Sequence, residues 1–226
     1  MDPLSHGLVG LAVGSFSGGN VLTNPMALGC LIGSVMPDGD IIMQYWGDYA
    51  YLKNHRGASH SLFGMAVLSL AVSFLINFIF KGSSFFNILF WTYIGCLTHV
   101  GLDLFNSNGA KLFWPFCNKK FGNGLLLSFD PFLVVSSIIV YWFHKRNMFY
   151  VKLAIVAFTA YLMFLQLRKI QIRHKIIKQF TFPIDRIALL PSMTNLFSWD
   201  FIIYGKKEIV TGRSSLLTKK IVIRDR

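Results

Sequence analysis

Four of the six histidines in this chain sit in short polar runs that border long apolar stretches. The densest run is His55-Arg56-Gly57-Ala58-Ser59-His60-Ser61, set directly before the apolar stretch Leu62 to Phe80. Two imidazoles and a guanidinium at the mouth of a membrane-spanning segment need partners, because polar groups near hydrocarbon are costly. Upstream lies Met36-Pro37-Asp38-Gly39-Asp40, and downstream His99 and Asp103 stand four residues apart on one helical face. Neutral imidazole and carboxylate suit zinc, manganese or iron, whereas a site without thiolate is unlike a structural zinc finger. These three stretches are expected to converge on bound divalent metal, zinc first among the choices. Several carboxylates gathered together also favour more than one ion, because unpaired acids repel one another. Paired metals activate water near neutral pH and clamp a phosphoester during displacement. Arg56, with its planar fork of donors, is suited to holding a phosphate.

Each residue also has a plainer reading. His60 alone could be an interfacial histidine, and Asp38 and Asp40 a solvated turn after Pro37. At least one of these two aspartates is expected to be a ligand, and the sequence does not separate them. His99 and Asp103 could merely brace the end of a helix, and His6 could cap the first one. The favoured assignment makes His6, Asp38, Asp40, His60, His99 and Asp103 metal ligands, with Arg56, His55 and Asp40 serving the chemistry. Asp130, just before Pro131, is a helix-capping candidate, and His144 and His174 sit among Lys and Arg as solvated positions.

The elements that must position these groups are apolar. The chain of 226 residues is 54% hydrophobic and only 14% charged, with mean hydropathy +0.52, against about a quarter charged in ordinary globular domains. This composition predicts an all-α integral membrane bundle of about four to six membrane segments. The net charge of +12 then reads as positive loops and attraction to anionic headgroups rather than nucleic-acid binding. Cys30, Cys96 and Cys117 are scattered and odd in number, which implies neither a disulfide framework nor a thiolate metal site. Met1-Asp2-Pro3-Leu4-Ser5-His6 has no basic leader region, so the N-terminus is expected to be retained.

Residues 7–22 and 26–36 are apolar but rich in small residues, with Gly10 and Gly14 at a spacing that lets membrane helices approach closely. Both are shorter than the roughly 20 residues a spanning helix needs and predict a tightly packed hairpin. Ile41 to Asn54 is aromatic, as in an interfacial loop or short helix. Further segments are expected at Ser61–Phe80, Phe85–Phe105, Pro131–Phe143 (extended backwards through Leu125 to Phe129) and Met148–Leu167. Residues 1–179 are taken as the membrane-embedded domain. Residues 180–226 are taken as a small soluble appendage of β character, with two short strands around Gly205-Lys206. The basic cluster from Arg168 to Lys178 is expected on the cytoplasmic side. Counting back through the spans then brings His6, Asp38, Asp40, His55, His60, His99, Asp103 and Asp130 to one face, and Lys53 with them.

Taken together, Asp2-Pro3-Leu4-Ser5-His6-Gly7, Pro37-Asp38-Gly39-Asp40, His55-Arg56-Gly57, Ser59-His60-Ser61 and His99 through Asp103 resemble the YdjM-like family of membrane-bound, metal-dependent hydrolases. The resemblance covers residues 1 to 135, and that family in turn is similar to zinc-dependent phospholipase C. Carried over, it implies one metal site formed by Asp38 or Asp40 with His60, His99 and Asp103, and a second that includes His6, with Asp103 bridging. The later His and Glu ligands of soluble phospholipase C have no counterpart here, so the resemblance implies between one and three ions.

The leading function is therefore a membrane-bound hydrolase of phosphoesters in lipids or lipid-linked substrates, acting at the cytoplasmic face of the inner membrane. Its expected partners are membrane lipids and an amphiphilic phosphoester. The alternative is a non-catalytic protein in which the metal is structural or sensed. A transporter is disfavoured, because an ion relay should place His and Asp at several depths and this chain keeps them at one. Substrate, metal identity and oligomeric state are not legible in the sequence.

Overall fold

Asp2 starts the first helix. Its carboxylate accepts from Ser5 N at 3.0 Å and from Ser5 Oγ at 2.6 Å, and Pro3 supplies the first helical turn. The computed structural model describes residues 1–49, 51, 55–180, 182–192, 198–206, 208–215 and 221–225. Its helices are α1 (Pro3–Gly14), α2 (Pro25–Val35), α3 (Leu62–Ile79), α4 (Phe85–Phe105), α5 (Pro131–Phe143) and α6 (Met148–Gln179). Two 3-10 segments, Met36–Trp46 and Ala58–His60, carry the polar motifs between α2 and α3. Among the described residues four stretches are long and apolar enough to cross a membrane: Pro25–Trp46, Leu62–Ile79, Phe85–Phe105 and Met148–Gln179. The chain is thus an integral membrane helical protein with a small sheet near its C-terminus.

The chain divides into two compact units, with the boundary falling inside α6 after Phe158 and with residues 124–127 belonging to the second. In the first unit, α2 lies at the centre, packed on α1, α3 and α4. Small residues make this possible. A Cβ on Gly33 would come within 2.2 Å of Thr92 O, and one on Gly95 within 2.1 Å of Cys30 O, so the α2 and α4 backbones are as close as glycine permits. Ser73 Oγ donates to Thr92 Oγ1 at 3.2 Å, tying α3 to α4. Met65, Cys96, Val100 and Ala110 pack together as an apolar cluster.

Two expectations are corrected. The first segment does not run on as helix to Leu22: α1 gives way to a 3-10 turn at Ser15–Ser17, and Gly18 and Gly19 take φ of 88° and 74°, which only glycine adopts readily. Nor does α5 extend back through residues 125–129. Asp130 is held extended by the following proline, and its carboxylate accepts from Phe132 N and Leu133 N at 3.0 and 3.1 Å. The stretch after Met36 is 3-10 as far as Trp46, while Ala50 and residues 52–54, Lys53 among them, lie outside the described residues. The three cysteines are free, with Cys30 and Cys96 buried.

In the second unit a four-stranded antiparallel meander runs in the order β1 (Ile184–Pro191), β2 (Ser198–Gly205), β3 (Ile209–Ser215) and β4 (Ile221–Asp225). Trp199, Phe201 and Ile203 alternate into its buried face, the period of two that a half-buried strand requires. Phe201 pairs with Gly212, where a Cβ would meet the Phe201 ring at 2.4 Å. Arg213 grips Asp200 across β2 and β3 through Nε at 2.6 Å and Nη2 at 3.1 Å. The two strands expected around Gly205-Lys206 are β2 and β3, with Lys207 outside the described residues.

Candidate metal centre

Five pieces of chain meet at one end of the first unit: the start of α1, the 3-10 segment after α2, the loop before α3, the end of α4, and the loop that follows it. His99 and Asp103 project from successive turns of α4 and are fully buried. His99 Nδ1 lies 2.8 Å from Ser34 O at the end of α2. A carbonyl only accepts, so Nδ1 carries the proton and Nε2 turns a lone pair inwards. His60 is oriented in the same manner. Its Nδ1 is 2.9 Å from Ser59 Oγ, whose own proton points to Asp40 Oδ2 at 3.3 Å. Each imidazole is thus fixed through its outer nitrogen, as in most histidine–metal sites.

The inner atoms form a close group. His60 Nε2 and His99 Nε2 are 3.1 Å apart. Asp38 Oδ1 lies 3.3 Å from the first and 3.5 Å from the second, and Asp103 Oδ2 lies 3.4 and 3.7 Å from them. Four donors at roughly 2.0–2.1 Å from a tetrahedral zinc stand about 3.3–3.4 Å from each other. The five separations above, 3.1 to 3.7 Å, are those of such a cage. Among the described residues Asp103 Oδ2 has no hydrogen-bond partner. A buried set of lone pairs and carboxylate oxygens facing one another requires a cation, so the residues fit a metal. Burial by itself would lower the pKa of His60, but the Asp103 and Asp38 carboxylates outweigh it and the pKa is raised. The pocket draws positive charge.

The outer oxygens of the same two aspartates face His6. Its Nε2 is 3.5 Å from Asp103 Oδ1 and 4.0 Å from Asp38 Oδ2, and its ring stacks on His99 at 3.7 Å between centroids. Neither His6 ring nitrogen has a hydrogen-bond partner among the described residues, though the residue is fully buried. Burial holds its pKa down to about 4, so the ring is neutral and free to ligate. The Met1 α-amine and Arg56 also contact Asp103 Oδ1, the latter through Nη2 at 3.3 Å.

Asp40, counted among the ligands from sequence, is placed apart from the four-donor group. Its Oδ1 is 2.9 Å from His55 Nδ1, and its Oδ2 accepts from Arg56 N at 2.9 Å and from Ser59 Oγ. With both oxygens engaged, it braces the loop that carries His55, Arg56 and His60. Arg56 takes φ 57°, a conformation that costs a non-glycine residue on the order of 1–3 kcal/mol. Asp40 holds its N–H, and its carbonyl accepts from Lys111 N at 3.1 Å. The pinned backbone turns the side chain inwards; Arg56 is 4% exposed, and its Nε and Nη1 have no partner among the described residues. Lys120 Nζ donates to His55 O at 3.2 Å, and burial followed by the charges of Lys111 and Arg56 lowers its pKa. Sequence reasoning missed Ser34, Ser59 and Lys120. Only Ser59 lay in a motif, and nothing marks a backbone carbonyl as the partner of a distant histidine.

A helical membrane bundle with a buried His/Asp cluster at one end is the class that fold and site define. A family model described as YdjM inner membrane protein matches residues 1–171, and the chain belongs to that family. The protein described as uncharacterized protein YfhP of Bacillus subtilis (strain 168) is 25% identical over 225 residues, covering 95% of this chain and 68% of that protein. No solved structure matches the chain.

Proposed function

We propose that this chain is a metal-dependent hydrolase of phosphoesters, working at the cytoplasmic face of the inner membrane with zinc as the first choice of metal. The observation that carries this reading is the cage of Asp38, His60, His99 and Asp103 beside a guanidinium with two unpartnered donors. An ion held by those four residues supplies a Lewis acid and an acidified water. A second ion, if bound, would be held by His6 with the outer oxygens of Asp38 and Asp103, and Asp103 would then serve both ions.

The remaining residues are assigned by what they touch. Arg56 offers Nε and Nη1 to phosphoryl oxygens, relieving two buried donors whose isolation costs about 1–3 kcal/mol each. Asp40 fixes the proton on His55 Nδ1, leaving Nε2 to take up or return a proton at the substrate. Lys111 and Lys120 add positive charge to the approach. The side chain of Asp38 is 15% exposed, whereas those of His60 and Asp103 are 0% exposed. The cage is therefore reached from the Asp38 side, where a catalytic rather than a closed structural ion needs its opening. Purified protein loaded with zinc, manganese or iron should release phosphate or a phosphorylated headgroup from a panel of phosphoesters, and His60→Ala should not. Full metal occupancy with no turnover on that panel would support the non-catalytic alternative.

A further inference from the structure

Beside the metal cage lies a cavity of about 690 Å³, within the range of small-molecule sites. One wall runs along α2 and is apolar, formed by Leu31, Ile32 and Val35, with Ile41 across from them in the 3-10 segment. Asp38, His55 and Arg56, the groups already placed at the cage, line its polar part together with Tyr51 and Met1. A small water-soluble phosphoester needs the polar part and leaves the apolar wall with nothing to contact.

The rim of the cavity faces outwards. Met36 is 41% and Ile41 57% exposed. The adjoining Ile42, Tyr45 and Trp46 are exposed as well, the apolar and aromatic mix of a membrane interface. This rim belongs to Pro25–Trp46, a segment long and apolar enough to lie in a bilayer. A hydrocarbon chain that slid from the bilayer past Ile41 would exchange one apolar environment for another at little cost. Selectivity would then rest with the headgroup, through Arg56 and the cage.

We propose that the cavity is the hydrocarbon subsite of a phosphate-bearing membrane lipid, which reaches it sideways from the bilayer with one chain along Leu31 and Val35 and its phosphate at Arg56. This inference rests on the phosphohydrolase reading and adds the substrate class to it. Short-chain lipids presented from water should gain about fourfold in apparent affinity per added methylene, until the chain fills the cavity.

The test is photolabelling of the full metal-loaded protein in phosphatidylcholine nanodiscs, using a phosphatidic acid with a diazirine at the end of one acyl chain. Adducts on residues 31–36 and 41 are expected, competed by unlabelled phosphatidic acid but not by diacylglycerol or inorganic phosphate. Leu31→Trp, which fills the cavity, should cut that labelling at least tenfold with metal content unchanged, while Leu31→Ala should retain it. Adducts confined to the outer faces of α3 and α4, or labelling of residues 31–36 displaced equally by diacylglycerol, would overturn the proposal. Displacement by inorganic phosphate alone would make free phosphate the ligand and overturn it too. Labelling needs no turnover: adducts on α2 without phosphate release support this subsite and count against the hydrolase reading, and phosphate release without them does the reverse.

Discussion

His60 Nε2 and His99 Nε2 face each other at 3.1 Å, each ring anchored through Nδ1, one to Ser59 and the other to the Ser34 carbonyl. Two lone pairs so placed repel unless a cation lies between them. His60→Ala and His99→Ala should therefore each lose one equivalent of metal by elemental analysis of detergent-purified protein. Full occupancy in both variants would sink the cage.

Acid should release the same ion. The His60 pKa is raised, so in metal-free protein the ring keeps a proton above the usual 6.5. A metal that binds must displace that proton. Affinity should then rise as pH increases past 6.5, with up to one proton released per ion while the metal-free ring is still protonated. Titrations with zinc in buffers of different ionisation enthalpy measure that proton. A flat affinity across that range would mean that His60 does not ligate.

Asp103 turns Oδ2 to the cage and Oδ1 towards His6, Arg56 and the Met1 amine. Asp103→Asn keeps the shape and removes the charge, so metal content should fall by more than one equivalent. His6→Ala should cost only the second ion. If both variants lose the same amount, the two carboxylate oxygens do not serve separate ions.

The spans were legible because their warrant is local, and the meeting of these residues followed from counting those spans. Hydropathy marks the apolar runs, and His99 with Asp103 carries its own helical spacing. Asp38 and Asp40 could not be told apart, since both follow Pro37 in one short turn and only the path of residues 55–60 decides which of them faces the cage. The left-handed Arg56 left no trace either, because that conformation is imposed by Asp40 and Lys111 from distant parts of the chain. In the tail, apolar and polar residues alternate only weakly, so β2 and β3 were legible from their turn at Gly205-Lys206, whereas β1 and β4 carry no such turn signal and form by pairing with their neighbours.

Arg56→Lys keeps the positive charge but loses the planar fork. Turnover should drop on the order of 10²-fold, the effect of losing one well-placed donor to developing charge, with metal content near that of the wild type. Loss of metal in this variant would make Arg56 a brace for Asp103 instead. Arg56→Gly relieves the φ of 57° but gives up the contact with Asp103 Oδ1, so turnover should be lost with no gain in stability.

Asp40→Asn tests the division of labour between the two aspartates. The carboxylate holds His55 Nδ1 at 2.9 Å and the Arg56 N–H at 2.9 Å. An amide oxygen can keep one of these contacts but not both at full strength, and its NH₂ group would favour the wrong His55 tautomer. Asp38, His99 and Asp103 do not touch Asp40, and His60 meets it only through its outer nitrogen, by way of Ser59 and at 3.7 Å directly. Metal content should therefore hold while kcat falls by about 10²- to 10⁴-fold, the usual worth of a positioned acid or base. Asp38→Asn should give the opposite pattern, with metal lost first and activity lost as a consequence. If Asp40→Asn sheds metal as readily as Asp38→Asn, Asp40 is a ligand after all, and the His55–Asp40 pair has no separate part in the chemistry.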